Sequence, residues 1–533
     1  MGGHGRLHAG TGVHRPAQLG SFSAGRSGTA PLAARSGWIS CVMEADPCTG
    51  GIAIGGQLGI MNAGGLDERT YAMAIIDKVF KAYDVRGIYG EEIDEDLAWK
   101  IGHASAQFLR SLLSGYERGQ ATSNRLVLGR DMRPSSDPLA AAMMEGISAA
   151  GAGCVDIGLC DTPMVYFAIN HLHTCGGIQV TASHNPIEYN GFKISGHKAR
   201  PVGGNTGLNE IKHIVSTLRR MPVSAALTPA QTIDLWDEYR RHVLRFLHMP
   251  RKLKVVVDAS NGMGGKMMPT IFGDVENIEM VPLNFEIGNG FAHPPNPLVE
   301  ANLEQLKAAV AKEKADLGIC MDGDADRCMF VDEKAQTVRC DLMTAVLARH
   351  FLKDNPGAMV AYDLRSSRVV AEEIRAAGGV PRRERVGHAF MKKAMTDGHG
   401  IFGGELSGHF YFRDNYNCDS GAIAFATALS VIASQDAPLS RVIAPLQKYS
   451  HSGEINFEVE DKQAKMDEIA ETFSDAEIDH LDGVTCQYED WWCNVRPSNT
   501  EPLLRLSLEA KDKTMLKQKL SAVQKILGTP VAH

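Results

Sequence analysis

From about residue 75 the chain repeats one pattern: a short apolar run, a turn, an amphipathic stretch, another apolar run. Residues 125–131 read RLVLGRD and 138–152 read PLAAAMMEGISAAGA; CVDIG, TPMVYFAINHL and GGIQV follow in order. Short apolar runs bounded by turn residues suit buried strands, and the longer stretches between them suit helices. The alternation implies βαβ units on a mostly parallel sheet. The cycle restarts near 253 (LKVVVDASNGMGG), with a helix expected over 303–315 and a strand over 316–322. It restarts again near 341, with helix DLMTAVLARHFL and strand AMVAYD at 358–363. A helix over 234–247 joins the first two units. The end of the chain differs: EINFEVE at 454–460 and LRLSL at 504–508 alternate with period two, as strands with one wet face do. The expected fold class is α/β, three consecutive mixed-sheet α/β domains plus a C-terminal α+β domain. The expected boundaries are 71–225, 226–335, 336–450 and 451–533, after a tail over 1–70.

The tail is set apart by composition. Residues 1–43 hold no Asp or Glu, four Arg, and many Gly, Ser and His, which cannot bury enough surface to order themselves. A disordered, dispensable tail or an upstream start is preferred over an organelle transit peptide, which has a similar composition. The whole chain carries 55 Lys+Arg against 63 Asp+Glu, a net charge of −8. That mild acidity argues against nucleic acid as partner, and it means an anionic substrate must be held by local cations. The 11 cysteines are odd in number and form no C-x-x-C pair, which suits a reducing, cytoplasmic setting rather than a disulfide framework. No apolar run reaches the ~18 residues of a membrane helix.

Four polar stretches carry the chemistry. TASHNP at 181–186 ends an apolar run by placing Ser183 among His184, Asn185 and Pro186. Adjacent Ser183 and His184 are expected to point apart, and no G-x-S-x-G elbow surrounds the serine, so a hydrolase dyad is not expected. A helix N-cap, with Asn185-Pro186 opening the helix, is the bland alternative. DGDADR at 322–327 spaces Asp322, Asp324 and Asp326 two apart; such carboxylates repel unless a cation sits among them, and oxygen ligands suit Mg²⁺. A calcium loop is excluded because Arg327 occupies the position that needs glycine. GELSGH at 404–409 brings a carboxylate, a hydroxyl and an imidazole into one turn fit for vicinal sugar hydroxyls. RPSNTEP at 496–502, followed by Arg505, offers a guanidinium, hydroxyls, an amide and loop N–H groups as a phosphate cradle. All four lie at or near strand ends on separate expected domains, where open α/β sheets bind ligands. Together they suit phosphoryl transfer to or from a sugar phosphate.

In this order the four motifs resemble the signature loops of the α-D-phosphohexomutase family, over about residues 78–528. The resemblance implies four domains around a central cleft, a phosphoserine enzyme and a need for Mg²⁺. By motif match, Ser183 is the phosphorylated residue, and Asp322, Asp324 and Asp326 hold Mg²⁺ together with its phosphate. Arg327 sits in the same metal loop, beside the substrate. Glu405 and Ser407 read sugar hydroxyls; Arg496, Ser498, Asn499 and Thr500, with Arg505, hold the non-reacting phosphate. Tyr83 and Arg86 (KAYDVRG) reach the site from the first domain, Lys193 (YNGFK) is a cation near the serine, and Arg365 (DLRSS) and His388 (VGHAF) are third-domain contacts. The variable place in the third loop is Leu406, closer to the methionine of the phosphomannomutase/phosphoglucomutase branch than to the glutamine of phosphoglucosamine mutases. FYFRDNYNCDSG also resembles the mannose branch.

The expected reaction exchanges hexose 6-phosphate and hexose 1-phosphate, mannose or glucose, through a hexose 1,6-bisphosphate intermediate. His409, then His388, are the candidate general bases. A mobile fourth domain joined near 449–453 would let the intermediate turn over. The expected molecule is a monomer with a small phosphosugar as its only partner. The rival readings are a phosphoglucosamine mutase, a metal-dependent sugar-phosphate phosphatase and a non-catalytic sugar-phosphate binding protein.

Overall fold

The computed structural model describes residues 68–119, 122–220, 228–288, 290–498 and 503–531. Residues 1–67 of the expected tail lie outside the described residues. Residues 68–70, assigned to that tail from composition, belong to a helix, Glu68–Val79.

Four sheets follow. In the first, neighbours run Val85–Ile88, Tyr189–Gly196, Gly176–Val180, Arg125–Arg130, Gly153–Leu159 and Gln231–Thr232. The last four pair in parallel and the first two add antiparallel. The second sheet runs Thr337–Val338, Cys328–Asp332, Leu317–Met321, Leu253–Asp258, Ile278–Leu283. The third runs Val380–Glu384, Met359–Asp363, Phe402–Gly404, Phe410–Phe412, Cys418–Asp419. Both again join a parallel part to an antiparallel edge. The fourth sheet, Ser450–Phe457, Leu504–Ala510, Trp491–Pro497, Val484–Gln487, Glu477–Asp479, is antiparallel throughout. The α/β class with a distinct C-terminal domain is therefore as the sequence implies.

The continuous apolar runs are strands covered on both faces: every residue of Gly176–Val180, Leu317–Met321 and Met359–Asp363 is buried. Two helices are buried nearly as fully. Thr162–His171 starts with Pro163 in its first turn and has Thr162 through Ile169 out of water. Gly421–Ala433, which sequence reading passed over, is apolar on every side and wholly buried, as a helix wedged between layers must be. One apolar cluster runs without a break from Val127 to Leu446, through all of the first three sheets. A second covers the outer face of the first sheet. The fourth sheet keeps its own core, Phe457 to Leu527.

Two local expectations fail. The strand expected over 454–460 is Ser450–Phe457; it begins inside the segment expected as a flexible joint, because Ser450 and His451 already pair with Ala510 and Glu509. The helix that Asn185-Pro186 could have opened is absent: turns lead from Ser183 directly into the strand Tyr189–Gly196.

Candidate active site

Ser183 leaves the strand Gly176–Val180 in a left-handed conformation, φ +51°, a position that costs an L-residue about 1–2 kcal/mol. The surroundings hold it there. Its N–H donates to Thr181 Oγ1 at 2.9 Å, and the buried Arg133 donates to the carbonyls of Ser183 (3.0 Å), Asn185 (2.7 Å), Tyr189 (3.0 Å) and Pro186. Arg133 is itself paired with Asp131 at 3.1 Å, and Asp131 also accepts from the hydroxyls of Thr181 (2.7 Å) and Ser136 (2.6 Å). A buried ion pair is tolerable only when its remaining hydrogen-bonding capacity is used, as it is here. Sequence reading missed Arg133; it stands about fifty residues from the loop it shapes, in an ordinary DMRPSS turn. Arg86 reaches the same loop, donating to Asn185 Oδ1 at 2.7 Å.

The acid loop lies directly against the serine. Ser183 Oγ donates to Asp322 Oδ2 at 2.9 Å. Gly323 permits this approach, because a Cβ there would overlap the Ser183 carbonyl oxygen. Oxygens of Asp322, Asp324 and Asp326 lie within 4.8 Å of one another, all buried. Lys193 reaches Asp324 Oδ2 (2.7 Å) and Asp326 Oδ2 (2.6 Å), and Thr162 Oγ1 donates to Asp324 Oδ2 at 2.5 Å. Arg327 turns back with its N–H on Asp322 Oδ1 (3.2 Å). Burial and the two neighbouring carboxylates push Asp322 well above the usual carboxylate range. Burial would raise Asp326 too, but Lys193 and His409 pull it well below. Among the described residues, Asp324 Oδ1 and Asp326 Oδ1 are buried oxygens without a hydrogen-bond partner. An all-oxygen set with unused acceptor capacity fits a hard divalent cation.

His184 does not diverge from Ser183 as expected: Nδ1 lies 3.4 Å from Ser183 Oγ. The pair is still no dyad. Arg327 Nη2, an obligate donor, occupies Nδ1 at 3.1 Å, and the single hydroxyl proton of Ser183 goes to Asp322. Burial, then the charges of Arg327 and Arg86, hold the ring neutral.

From the third sheet, the turn after Phe402–Gly404 presents Glu405, Ser407 and His409. Glu405 Oε1 accepts from Gly387 N–H (3.0 Å) and Oε2 from Tyr411 Oη (2.5 Å). His409 Nδ1 lies 2.9 Å from Ser407 Oγ, and Nε2 lies 3.4 Å from Asp326 Oδ1, so this histidine joins the third loop to the acid loop. His388 begins the helix His388–Asp397 and packs edge-on against Tyr83, centroids 5.5 Å apart, which brings the first and third domains together. Burial, then Lys392, lowers His388 to about 3.

Arg365 pairs with Asp363 (2.7 Å), whose same oxygen accepts from Leu406 N–H at 2.7 Å; the two third-domain loops are thus tied. In the fourth sheet, Arg496 and Arg505 are directly opposed cross-strand partners. Ser498 follows, and Asn499 and Thr500 lie outside the described residues. Instead of an open cradle, the guanidinium groups of Arg365, Arg496 and Arg505 converge on one carboxylate, Glu454, at 3.4, 2.7 and 2.9 Å. Sequence reading took Glu454 only as a strand residue. It could have been found only by pairing its strand with Leu504–Ala510.

A serine held against a carboxylate trio, with a hydroxyl-reading turn and an arginine cluster on the neighbouring sheets, defines a phosphoryl-transfer enzyme of the four-domain α/β kind. Comparison with known families agrees domain by domain. "Phosphoglucomutase/phosphomannomutase, alpha/beta/alpha domain I" matches residues 77–220, domain II 237–336, domain III 340–449 and the C-terminal domain 454–524. A phosphomannomutase of Escherichia coli K12 is 36% identical over 443 residues, covering 81% of this chain and 94% of its own. A phosphomannomutase of Methanocaldococcus jannaschii is 34% identical over 458 residues, covering 84% and 97%. A crystal structure of a phosphoglucomutase/phosphomannomutase family protein from Burkholderia thailandensis matches with a TM-score of 0.76 at 30% identity, covering 85% and 98%. The chain belongs to the α-D-phosphohexomutase family and is a hexose-phosphate mutase, an intramolecular phosphotransferase. Among the described residues no helix is long and apolar enough to cross a membrane.

Proposed function

We propose that the chain interconverts the 6- and 1-phosphates of mannose and of glucose through phospho-Ser183 and a hexose 1,6-bisphosphate. One observation carries this reading: Ser183 Oγ lies 2.9 Å from Asp322 Oδ2, one of three carboxylates whose oxygens cluster within 4.8 Å. Had the trio been buried elsewhere, the serine would have had no means of offsetting a phosphate. Asp322, Asp324 and Asp326, with the seryl phosphate, would hold Mg²⁺, whose charge stabilises the transferring phosphoryl oxygens. Lys193 stabilises charge on the serine oxygen as the phosphate leaves. Tyr83 and Arg86 line the site from the first domain, and Arg327 anchors the acid loop beside the sugar. Glu405 and Ser407 orient the sugar hydroxyls. Arg365, Arg496, Ser498, Asn499, Thr500 and Arg505 hold the phosphate that is not reacting.

Both ring nitrogens of His409 face protein side chains, Ser407 and Glu405 on one edge, Asp326 and Arg327 on the other. His388 packs edge-on against Tyr83, and burial, then Lys392, lowers it to about 3, well below the range that suits a general base at neutral pH. His409, then His388, stand as the candidate acceptors of the hydroxyl proton. The choice of mannose and glucose over glucosamine rests on Leu406, an apolar side chain at the variable place of the sugar turn.

The test is intact mass with a coupled assay. Wild-type protein is expected to carry one phosphate that Ser183→Ala lacks. Turnover of mannose 1-phosphate and glucose 1-phosphate should exceed that of glucosamine 1-phosphate, and Ser183→Ala should lose at least about 10³-fold in kcat. Inorganic phosphate released as fast as isomer forms would favour a phosphatase instead.

A further inference from the structure

The arginines of the cradle are not bare. Glu454 Oε2 lies 2.7 Å from Arg496 Nη2 and 3.4 Å from Arg365 Nη1, while Oε1 lies 2.9 Å from Arg505 Nη1. The side chain comes from the strand Ser450–Phe457, whose register slips between His451 and Glu454. Bulges of this kind re-aim a side chain, and Gly453, at φ +73°, supplies the left-handed residue that the slip requires. The bulge turns Glu454, whose cross-strand partner is Ser507, toward Arg365 of the third domain and toward Arg496 and Arg505 of its own sheet. Burial opposes its charge, yet Arg365, Arg496 and Arg505 together lower it to about 2, so it is an anion at neutral pH. A carboxylate with three charge-assisted partners, two of them on the strands that flank the loop that would grip phosphate, has the chemistry of a phosphate stand-in.

We propose that Glu454 is a resident anion of the phosphate cradle, exchanged for the non-reacting phosphate of the substrate and returned when that phosphate leaves. The proposal rests on the reading of Arg496 and its loop as a phosphate site. Its physical content is an exchange of partners. Three clustered guanidinium groups without this carboxylate, with Asp363 serving Arg365 alone, would repel one another in a partly buried setting, which makes release of any phosphate slow. A tethered carboxylate offsets that cost at each departure. A bisphosphate intermediate must let go of the cradle and return by its other end, so such a residue weakens phosphate binding and speeds turnover.

The probe is inorganic phosphate titrated calorimetrically into the full-length protein, with steady-state kinetics alongside. Glu454→Gln removes the competing charge and keeps the shape; it is expected to bind phosphate about tenfold tighter or more, with KM and kcat for the sugar phosphate both falling. Glu454→Asp keeps the charge on a shorter arm and guards against misfolding of the first variant; it should bind phosphate several-fold tighter. Either variant binding phosphate as wild type does, or more weakly, overturns the proposal and leaves Glu454 a mere brace for the arginines. Arg496→Gln is the control for the underlying reading and should bind phosphate at least tenfold more weakly. If it binds as tightly as wild type, the cradle lies elsewhere and the exchange falls with it.

Discussion

His388 shows how far one buried ring can couple the site to pH. Its proton affinity in the fold, about 3, lies below the ordinary 6.5, chiefly through burial and then through Lys392. Between those values the unfolded chain binds a proton that the folded chain refuses. The contribution of a neutral His388 to stability is therefore complete above about pH 6.5 and shrinks as pH falls toward 3. Replacing it with glutamine removes this linkage. The loss of stability between about pH 7.5 and about pH 5, read from urea midpoints, should be smaller in His388→Gln than in wild type. Equal losses would mean that the ring takes up its proton in the folded cleft. Lys392 is placed to keep it from doing so: its ammonium is buried, paired with Asp419 at 2.8 Å and set 3.7 Å from the centre of the Tyr166 ring.

At the scale of elements, the site is built where loops leave strand ends, and two of those loops touch backbone to backbone. Gly323 makes that contact possible. Gly323→Ala should separate Asp322 from Ser183, since the clash is with a carbonyl oxygen that Arg133 holds in place. The expected result is a fall in kcat of at least tenfold and a loss of about 1–3 kcal/mol in stability; a variant with wild-type phosphoserine content and rate would show that the serine loop can retreat. The sequence made the strands that carry these loops legible, because fully buried strands are written as unbroken apolar runs and the loops as sudden polar clusters. The strand Tyr189–Gly196 was not legible: YNGFKISG mixes apolar and polar residues, and it becomes a strand by pairing between Val85–Ile88 and Gly176–Val180. Arg133 and Glu454 escaped for a related reason. Each acts on residues distant in the chain, about fifty in one case and, for Glu454 and Arg365, on a different sheet, and neither lies in a motif with a local signature. Glu333, at the twelfth place of a spurious calcium loop, is explained by packing: it accepts from Ser440 N–H at 3.0 Å and from its hydroxyl.

At the scale of the whole molecule, the apolar core stops where the fourth sheet begins. The first three sheets share one cluster, whereas the fourth is held to the third largely by polar contacts. Arg383 pairs with Asp479, Arg368 with Glu509 and with the carbonyls of Tyr488 and Glu489, and Asp482 accepts from Val386 N–H at 3.3 Å. A partly exposed ion pair such as Arg383–Asp479 contributes about 0–1 kcal/mol and weakens with salt, so the fourth domain is fastened largely by polar contacts rather than by a shared core. Its attachment is the bulged strand Ser450–Phe457 rather than a free linker, which favours a hinge of small amplitude about one bulge over wide swinging. Two consequences can be measured. Small-angle scattering should show a larger radius of gyration at about 0.5 M salt than at about 0.05 M, and saturating sugar phosphate should reverse the increase. The double variant Arg368→Gln/Arg383→Gln should raise KM several-fold through the population of open cleft, while phosphate on Ser183, two sheets away, stays at its wild-type level. A radius that ignores salt, together with an unchanged KM, would mean that the fourth domain is locked. Turnover of a bisphosphate within the cleft would then have to proceed by rotation in a closed chamber, which three arginines and a carboxylate already crowd.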